Sequence, residues 1–254
     1  MTFTVDADHL GPREESWLKR IEFSDLARLD TVHARRLIVV APHPDDEVLG
    51  VGGLIQAALR DHVLVEFVAV TNGEASHPIS EVATTLDLAA LRAQESRTAL
   101  RRLGVDDPVI TPLHLPDGKI GEHRRELDEA LSSMLLPDDL CVAPWRRDGH
   151  PDHNVCGEAA AAASQSVDCK FLEYMVWSWH WADPDGSDIP WDRCVRLDLE
   201  RRQRARKRWA TGAFHSQIRP IGAQREDSAI LPEPILRRFW RPYEVLIDDT
   251  AACS

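Results

Sequence analysis

Apolar and polar positions alternate along this chain in two periods. Residues 37–41 form a short, β-branched apolar run ended by Pro42, which predicts a buried strand. Residues 46–60 then carry apolar side chains at helical spacing, with Gly50, Gly52 and Gly53 near the start. Glycines there weaken a helix, so close packing of helix on strand is the expected reason. The same alternation continues with a strand at 63–70, an amphipathic helix at 84–103 stopped by Gly104 and a strand at 109–115. A helix at 123–136 stopped by Pro137, a strand at 140–145 and a helix at 152–166 opened by Pro151 follow. After that the pattern predicts strands at 170–181 and 194–199, a strongly basic helix at 200–215, and a helix then a short strand within 233–247. Strand and helix alternating through residue 166 predict an α/β chain. The expected fold is a Rossmann-like three-layer arrangement with a mostly parallel sheet covered on both faces. Residues 1–36 are more polar, with short helices expected at 14–21 and 23–29. They read as an N-terminal appendage on a single α/β domain, 37–254, with a dimer arm as the weaker alternative.

Composition narrows the partners. A chain of 254 residues with 43% hydrophobic and 28% charged residues has ample material for a core. Its net charge of −12 argues against a nucleic-acid binder that relies on phosphate contacts. No apolar run reaches the length of a membrane span, and the N-terminus lacks a signal pattern, so neither membrane nor nucleic acid is expected as a partner. Five cysteines with no CxxC spacing read as reduced thiols, and a cytoplasmic protein is expected, with a homo-oligomer compatible.

The chemistry collects at two strand ends. The first strand runs into Pro42-His43-Pro44-Asp45-Asp46-Glu47, the fourth into His150-Pro151-Asp152-His153. Carboxyl ends of strands in open α/β sheets are where ligands bind. Taken alone, Asp45 is an ordinary helix N-cap and Asp46 and Glu47 are first-turn acids. That reading leaves His43 and the second cluster unaccounted for. A catalytic zinc takes three His, Asp or Glu ligands and keeps one position open. His43 and Asp46, three apart across a strand-to-helix turn, can converge, and either His150 or His153 can complete the set. No GxGxxG follows the first strand, so a nucleotide site is not supported.

Together these motifs resemble the PIG-L, or LmbE-like, family of metal-dependent N-deacetylases. The likeness extends over roughly residues 37–217, through Thr71-Asn72-Gly73-Glu74, Arg92 with Glu95, Leu115-Pro116-Asp117-Gly118, and Lys207 with His215-Ser216-Gln217. The resemblance implies that His43, Asp46 and His153 bind zinc, with Fe2+ or Co2+ as alternatives. It implies Asp45 as the general base toward zinc-bound water. His150 would stabilise the oxyanion or protonate the leaving amine, with Asp152 orienting it. Arg92 and Asp117 would contact substrate. The implied reaction removes an acetyl or similar acyl group from a small N-acylated amino sugar or glycoconjugate.

Each assignment has a plainer reading. Arg92 pairs equally well with Glu95 or Asp87 on a solvated helix, and Asp117 sits in an ordinary Pro-Asp-Gly turn. Trp177, Trp179 and Trp181 would share one face of a strand, as core or as a sugar platform. The arginines of 200–207 read as a solvated face, and His33, His62 and His77 as surface residues. One departure stands out: some relatives carry a tyrosine two residues before the second motif, where this chain has Asp148. The rival functions are an amidase acting on a larger acyl or peptide-like amide, and a metal-binding relative without turnover.

Overall fold

The computed structural model describes residues 11–20 and 25–248. One eight-stranded sheet organises them. Its strands are β1 (Ala27–Arg28), β2 (Arg36–Ala41), β3 (Leu64–Ala69), β4 (Val109–Pro112), β5 (Asp139–Pro144), β6 (Lys170–Tyr174), β7 (Cys194–Asp198) and β8 (Tyr243–Ile247). Their order is β1-β7-β8-β6-β5-β2-β3-β4, parallel throughout except β8, which runs antiparallel to both β6 and β7. From β2 the chain moves outward to β3 and β4, then returns to place β5 on β2's other side. The carboxyl ends of β2 and β5 therefore flank the point where strand order reverses, where α/β sheets open a crevice.

Period two in β2 feeds two cores. Leu37 and Val39 pack toward α2 (Asp46–Arg60), α4 (Leu88–Leu103) and α8 (Arg201–Thr211). Ile38 and Val40 pack toward α5 (Arg124–Met134) and α6 (Pro151–Val167). These four side chains are fully buried, which stabilises the fold by roughly 1.5–3 kcal/mol each. The layered, mostly parallel α/β arrangement is the one the alternating pattern predicts, and shorter helices fill the connections: α1 (Glu14–Arg20), α3 (Glu81–Thr85), α7 (Ser178–Trp181), α9 (His215–Ile218) and α10 (Glu233–Leu236).

Several elements differ from expectation for identifiable reasons. The helix expected at 84–103 is two helices. Leu86 is extended, Ser80 caps α3, and Asp87 caps α4 by accepting from the Ala90 N–H, so the capping preference of Asp87 prevails over the apolar periodicity. The strand expected through 181 stops at Tyr174, and the chain turns into α7. The helix expected at 23–29 is replaced by β1, which adds to the sheet beside Val195 and Arg196; residues 21–24 lie outside the described residues, as do 1–10, Cys253 and the rest of the tail. α1 buries Trp17 against Trp179, their rings crossing edge to face at 5.1 Å.

α2 is broken at Val51, whose φ of −134° is not helical. The break leaves N–H groups of the second half without helical partners. Glu244 on β8 fills them, accepting from Gly53 N (2.6 Å) and Leu54 N (2.9 Å), and Lys207 Nζ lies 2.5 Å from the same carboxylate. The glycines permit this approach. A Cβ on Gly50 would meet the Tyr174 ring at 2.2 Å, and one on Gly53 would meet Leu199 at 2.3 Å and Glu244 at 2.9 Å.

Candidate metal centre and active site

β2 ends at Ala41 and the chain makes a tight turn into α2. Asp46 Oδ2 accepts the His43 N–H at 2.9 Å, which curls the turn back on itself. Asp45 sits at φ 122°, a strained conformation for a residue with a side chain, and its N–H donates to Glu47 Oε2 at 3.0 Å. The turn thus aims His43, Asp45 and Asp46 at one space. The loop after β5 and the first turn of α6 bring His150 and His153 there from the other side of the reversal point.

Three atoms converge. His43 Nδ1 lies 3.3 Å from Asp46 Oδ2, His153 Nε2 lies 3.2 Å from Asp46 Oδ2, and the two ring nitrogens are 3.3 Å apart. A tetrahedral cation with ligand bonds of 2.0–2.1 Å has ligand-to-ligand edges of roughly 3.3 Å. The triangle therefore matches one face of such a tetrahedron. Two further groups, His43 with His150 and His153, and His43 with Asp117 and Asp152, bring ligand atoms within 4.8 Å of one another.

The far side of each imidazole is held by carboxylates. His43 Nε2 faces Asp117 Oδ1 at 3.1 Å and Asp152 Oδ2 at 3.2 Å, and His153 Nδ1 faces Asp148 Oδ2 at 2.8 Å. Carboxylates there fix the proton on the outer nitrogen and leave the inner lone pair for a metal. Asp148 is fully buried and also accepts from the N–H groups of Val176, Trp177 and Ser178 and from the Ser178 hydroxyl. These bonds turn the chain away from β6 and lock the two loops together. Asp148, noticed in the sequence only as a departure, thus touches a candidate ligand; its partners 28–30 residues away carry no local signal.

Charge follows the geometry. Burial alone would lower both imidazoles. The carboxylates outweigh it, lifting His153 to about 9 through Asp46 and Asp148, and His43 well above its ordinary value through Asp117, Asp152 and Asp46. Burial would raise Asp46 and Asp117, but the histidines hold Asp46 far below the carboxylate range and Asp117 at about 2. His150 is the opposite case: burial, with His153 and His43 adding repulsion, pushes it down to about 3. Its Nδ1 accepts from the Asp152 N–H at 3.2 Å, so the neutral ring carries its proton on Nε2.

The expected site residues are brought together, with altered neighbours. The Asp152 carboxylate faces His43, not His150, and it also accepts from Gly118 N (2.8 Å) and Ile120 N (3.3 Å). Arg92 is 3% exposed, so it is not the solvated helix charge of the plainer reading. It donates to Gly73 O (2.5 Å), Pro44 O (2.8 Å) and Asp45 Oδ2 (3.2 Å), while Glu95 takes Ser216 instead. Asp117 accepts from Ala75 N at 2.8 Å besides facing His43. His77, expected on the surface, is buried against Ser228 O.

A cavity of about 360 Å³ opens onto these groups, with Asp45, Arg92, His150, Trp177, Gln217 and Leu231 in its wall. The three tryptophans do not share a face, because they sit on a helical turn. Trp177 lies beside the His150 ring, Trp179 packs on Trp17, and Trp181 donates to Asp148 O at 2.7 Å. No helix among the described residues is long and apolar enough to cross a membrane.

The chain is similar to known proteins. A family model described as PIG-L, GlcNAc-PI de-N-acetylase, matches residues 38–164. The probable N-acetyl-alpha-D-glucosaminyl L-malate deacetylase 2 of Bacillus subtilis is 31% identical over 134 residues, covering 50% of this chain and 59% of that protein. The 1D-myo-inositol 2-acetamido-2-deoxy-alpha-D-glucopyranoside deacetylase of Mycobacteroides abscessus is 33% identical over 158 residues, 52% of this chain and 56% of that one. The chain therefore spans less than two thirds of the length of these curated relatives. The solved N,N'-diacetylchitobiose deacetylase of Pyrococcus horikoshii shares the fold, with a TM-score of 0.56, 22% identity, and coverage of 79% of this chain and 78% of that one.

Proposed function

The chain belongs to the PIG-L (LmbE-like) family, and from that premise we propose that it is a metal-dependent hydrolase that removes the acetyl group from an N-acetylated amino sugar or glycoconjugate. The observation that carries the reading is the triangle of His43, Asp46 and His153 donor atoms, 3.2–3.3 Å on each edge, beside Asp45 in an open cavity. The donor set suits zinc, and also Fe2+ or Co2+. A divalent cation bound there supplies Lewis acidity and makes water a nucleophile at neutral pH.

The chain's own groups divide the remaining work. Asp45 is the base, taking a proton from the attacking water. Burial, with repulsion from Asp46 and Glu47 added, lifts its carboxyl well above the ordinary value, and the Arg92 guanidinium beside it works against that shift by favouring the charged form. Arg92 also grips the Pro44 carbonyl, so it positions Asp45 as well as tuning it. Neutral His150 lines the cavity with its proton on Nε2, and it is the donor to the carbonyl oxygen as negative charge develops. The water oxygen bonds the acyl carbon, the C–N bond breaks, and the proton taken by Asp45 passes to the departing amine, leaving acetate and a free amino sugar. Trp177 offers a flat apolar wall to the sugar ring.

The test is acetate release by the zinc-loaded protein from a panel of N-acetylated sugars and glycoconjugates, with metal content measured on the same samples. Release that disappears on chelation and returns with zinc is expected. Stoichiometric metal with no release from any N-acetylated sugar would overturn the reading.

A further inference from the structure

We propose that the arginine face of α8 docks the protein onto anionic phospholipid membranes. The sequence RRQRARKRWAT of α8 contains no acid. Lys207, Ala210 and Thr211 turn inward, and Arg201, Arg202, Arg204, Arg206 and Arg208 are exposed. Arg102, at the end of α4, joins them. Contacts hold these side chains on the surface: Arg102 donates to Trp209 O (3.0 Å) and lies over the Trp209 ring, Arg206 reaches Leu103 O (3.5 Å), and Arg208 stacks on Trp240 at 4.3 Å.

What marks the face is the missing acid. Other arginines have carboxylates in reach, as in Arg60–Asp61, Arg124–Asp128, Arg125–Glu129 and Arg237–Glu233, whereas here five exposed arginines gather within eight residues of one helix with no acid between them. Among the described residues, none of the six arginines of this face has an ion pair, although the chain carries a net −12. The nearest acid in sequence, Glu200, is occupied in capping α8. Positive charge is gathered here and left unneutralised, while the remainder of the surface is more acidic than the net charge states.

Arginine forks suit phosphate oxygens, and Trp209, 61% exposed among them, is the amphipathic ring that settles at the headgroup level. A bilayer is flat and meets one face. At physiological salt the Debye length is about 8 Å, so acidic surface on the far sides is screened from it. A polynucleotide longer than the patch would run onto that acidic surface, which favours the membrane. The net charge of the sequence, which argues against an anionic partner, does not reveal this segregation.

The experiment is co-sedimentation of the full chain with phosphatidylcholine vesicles containing 30% phosphatidylglycerol, and with pure phosphatidylcholine vesicles. Binding to the anionic vesicles alone is expected, lost in 0.5 M salt. Each arginine near the surface is worth roughly fivefold in partitioning. Arg202→Glu with Arg206→Glu should therefore abolish sedimentation, and Trp209→Ala should weaken it severalfold. Deacetylation of a water-soluble substrate and melting temperature should stay unchanged, which separates lost docking from lost fold. No sedimentation of the wild type, or equal sedimentation of the charge-reversed variant, overturns the proposal and returns the arginines to a solvated face. Salt-sensitive binding of a 20-nucleotide single-stranded RNA with no vesicle binding overturns it in favour of nucleic acid.

Discussion

The two halves of α2 each end against a buried polar cluster, and the clusters differ in one respect. At the break, Lys207 and Glu244 form a closed set: one cation, one anion, and two N–H groups taken up by the same carboxylate. At the first turn, the Asp46 oxygen and two imidazole nitrogens, 3.2–3.3 Å from one another, point lone pairs at a common centre. That set is stable only with protons or a cation between its members. The outer carboxylates Asp117, Asp148 and Asp152 sharpen the difference, because they already hold the outer ring protons. Both clusters are buried charge, but the first is complete without a visitor and the second is not. Incompleteness, more than burial, marks the functional one.

The largest effect expected is therefore from removing a member of the open triangle. His43→Ala or Asp46→Ala should lose stoichiometric metal and bring acetate release to background, read by metal analysis and a rate assay. Bound metal at a thousand times its dissociation constant adds about 4 kcal/mol to stability, so either variant should also melt at the temperature of the chelated wild type. Full metal in Asp46→Ala would move the site toward the grouping of His43, His150 and His153, and full metal in His43→Ala would rule this centre out.

Next comes Asp45→Asn. The amide fills the same space and leaves all three donors in place, so metal content should stay at wild-type level. Turnover should fall about 10²–10⁴-fold, because the amide cannot accept the proton. Wild-type turnover in this variant would remove Asp45 from the mechanism.

The closed cluster should respond in stability and not in metal. Lys207→Met leaves a buried carboxylate short of its cation, which costs about 3–5 kcal/mol, measured by urea denaturation. The double variant Lys207→Met with Glu244→Gln should lose less than the sum of the two single variants, since the charge is then gone. Metal content unchanged in both would confirm that the two clusters are independent. Loss of metal in Lys207→Met would mean that the break in α2 transmits to its first turn.

Which of this could be read from the chain depends on how far apart the partners lie. The strand at 37–41 and the ligand types beyond it are local: an apolar run, a proline, then His and Asp. Asp148 acts through His153 five residues on and through N–H groups 28–30 residues on, so its role waits on the fold. The tryptophan run alternates like a strand, but the same three N–H groups taken by Asp148 turn it into a helix. Lys207 and Glu244, 37 residues apart, carry no local mark of their pairing. Asp87 was legible as a cap only to a reading that let one polar residue interrupt a long apolar period.

The smallest effect expected separates two roles for Asp117. As a substrate contact, it would act on substrate use alone. As a partner of His43 Nε2, 3.1 Å away, it orients a ligand, and loss of such a partner typically costs 10–100-fold in metal affinity or activity. Asp152 shares the same ring nitrogen at 3.2 Å, so the loss in Asp117→Asn should fall at the low end, near tenfold. Asp117 also accepts from the Ala75 N–H, and the Asn side-chain oxygen can keep that bond, so the loop should hold its place. Metal affinity measured by competition with a chelator, beside KM at saturating zinc, reads the two roles apart. Weaker metal with unchanged KM at saturation assigns Asp117 to the ring of carboxylates around the open cluster. A raised KM with unchanged metal affinity assigns it to substrate, leaving Asp152 alone to hold His43.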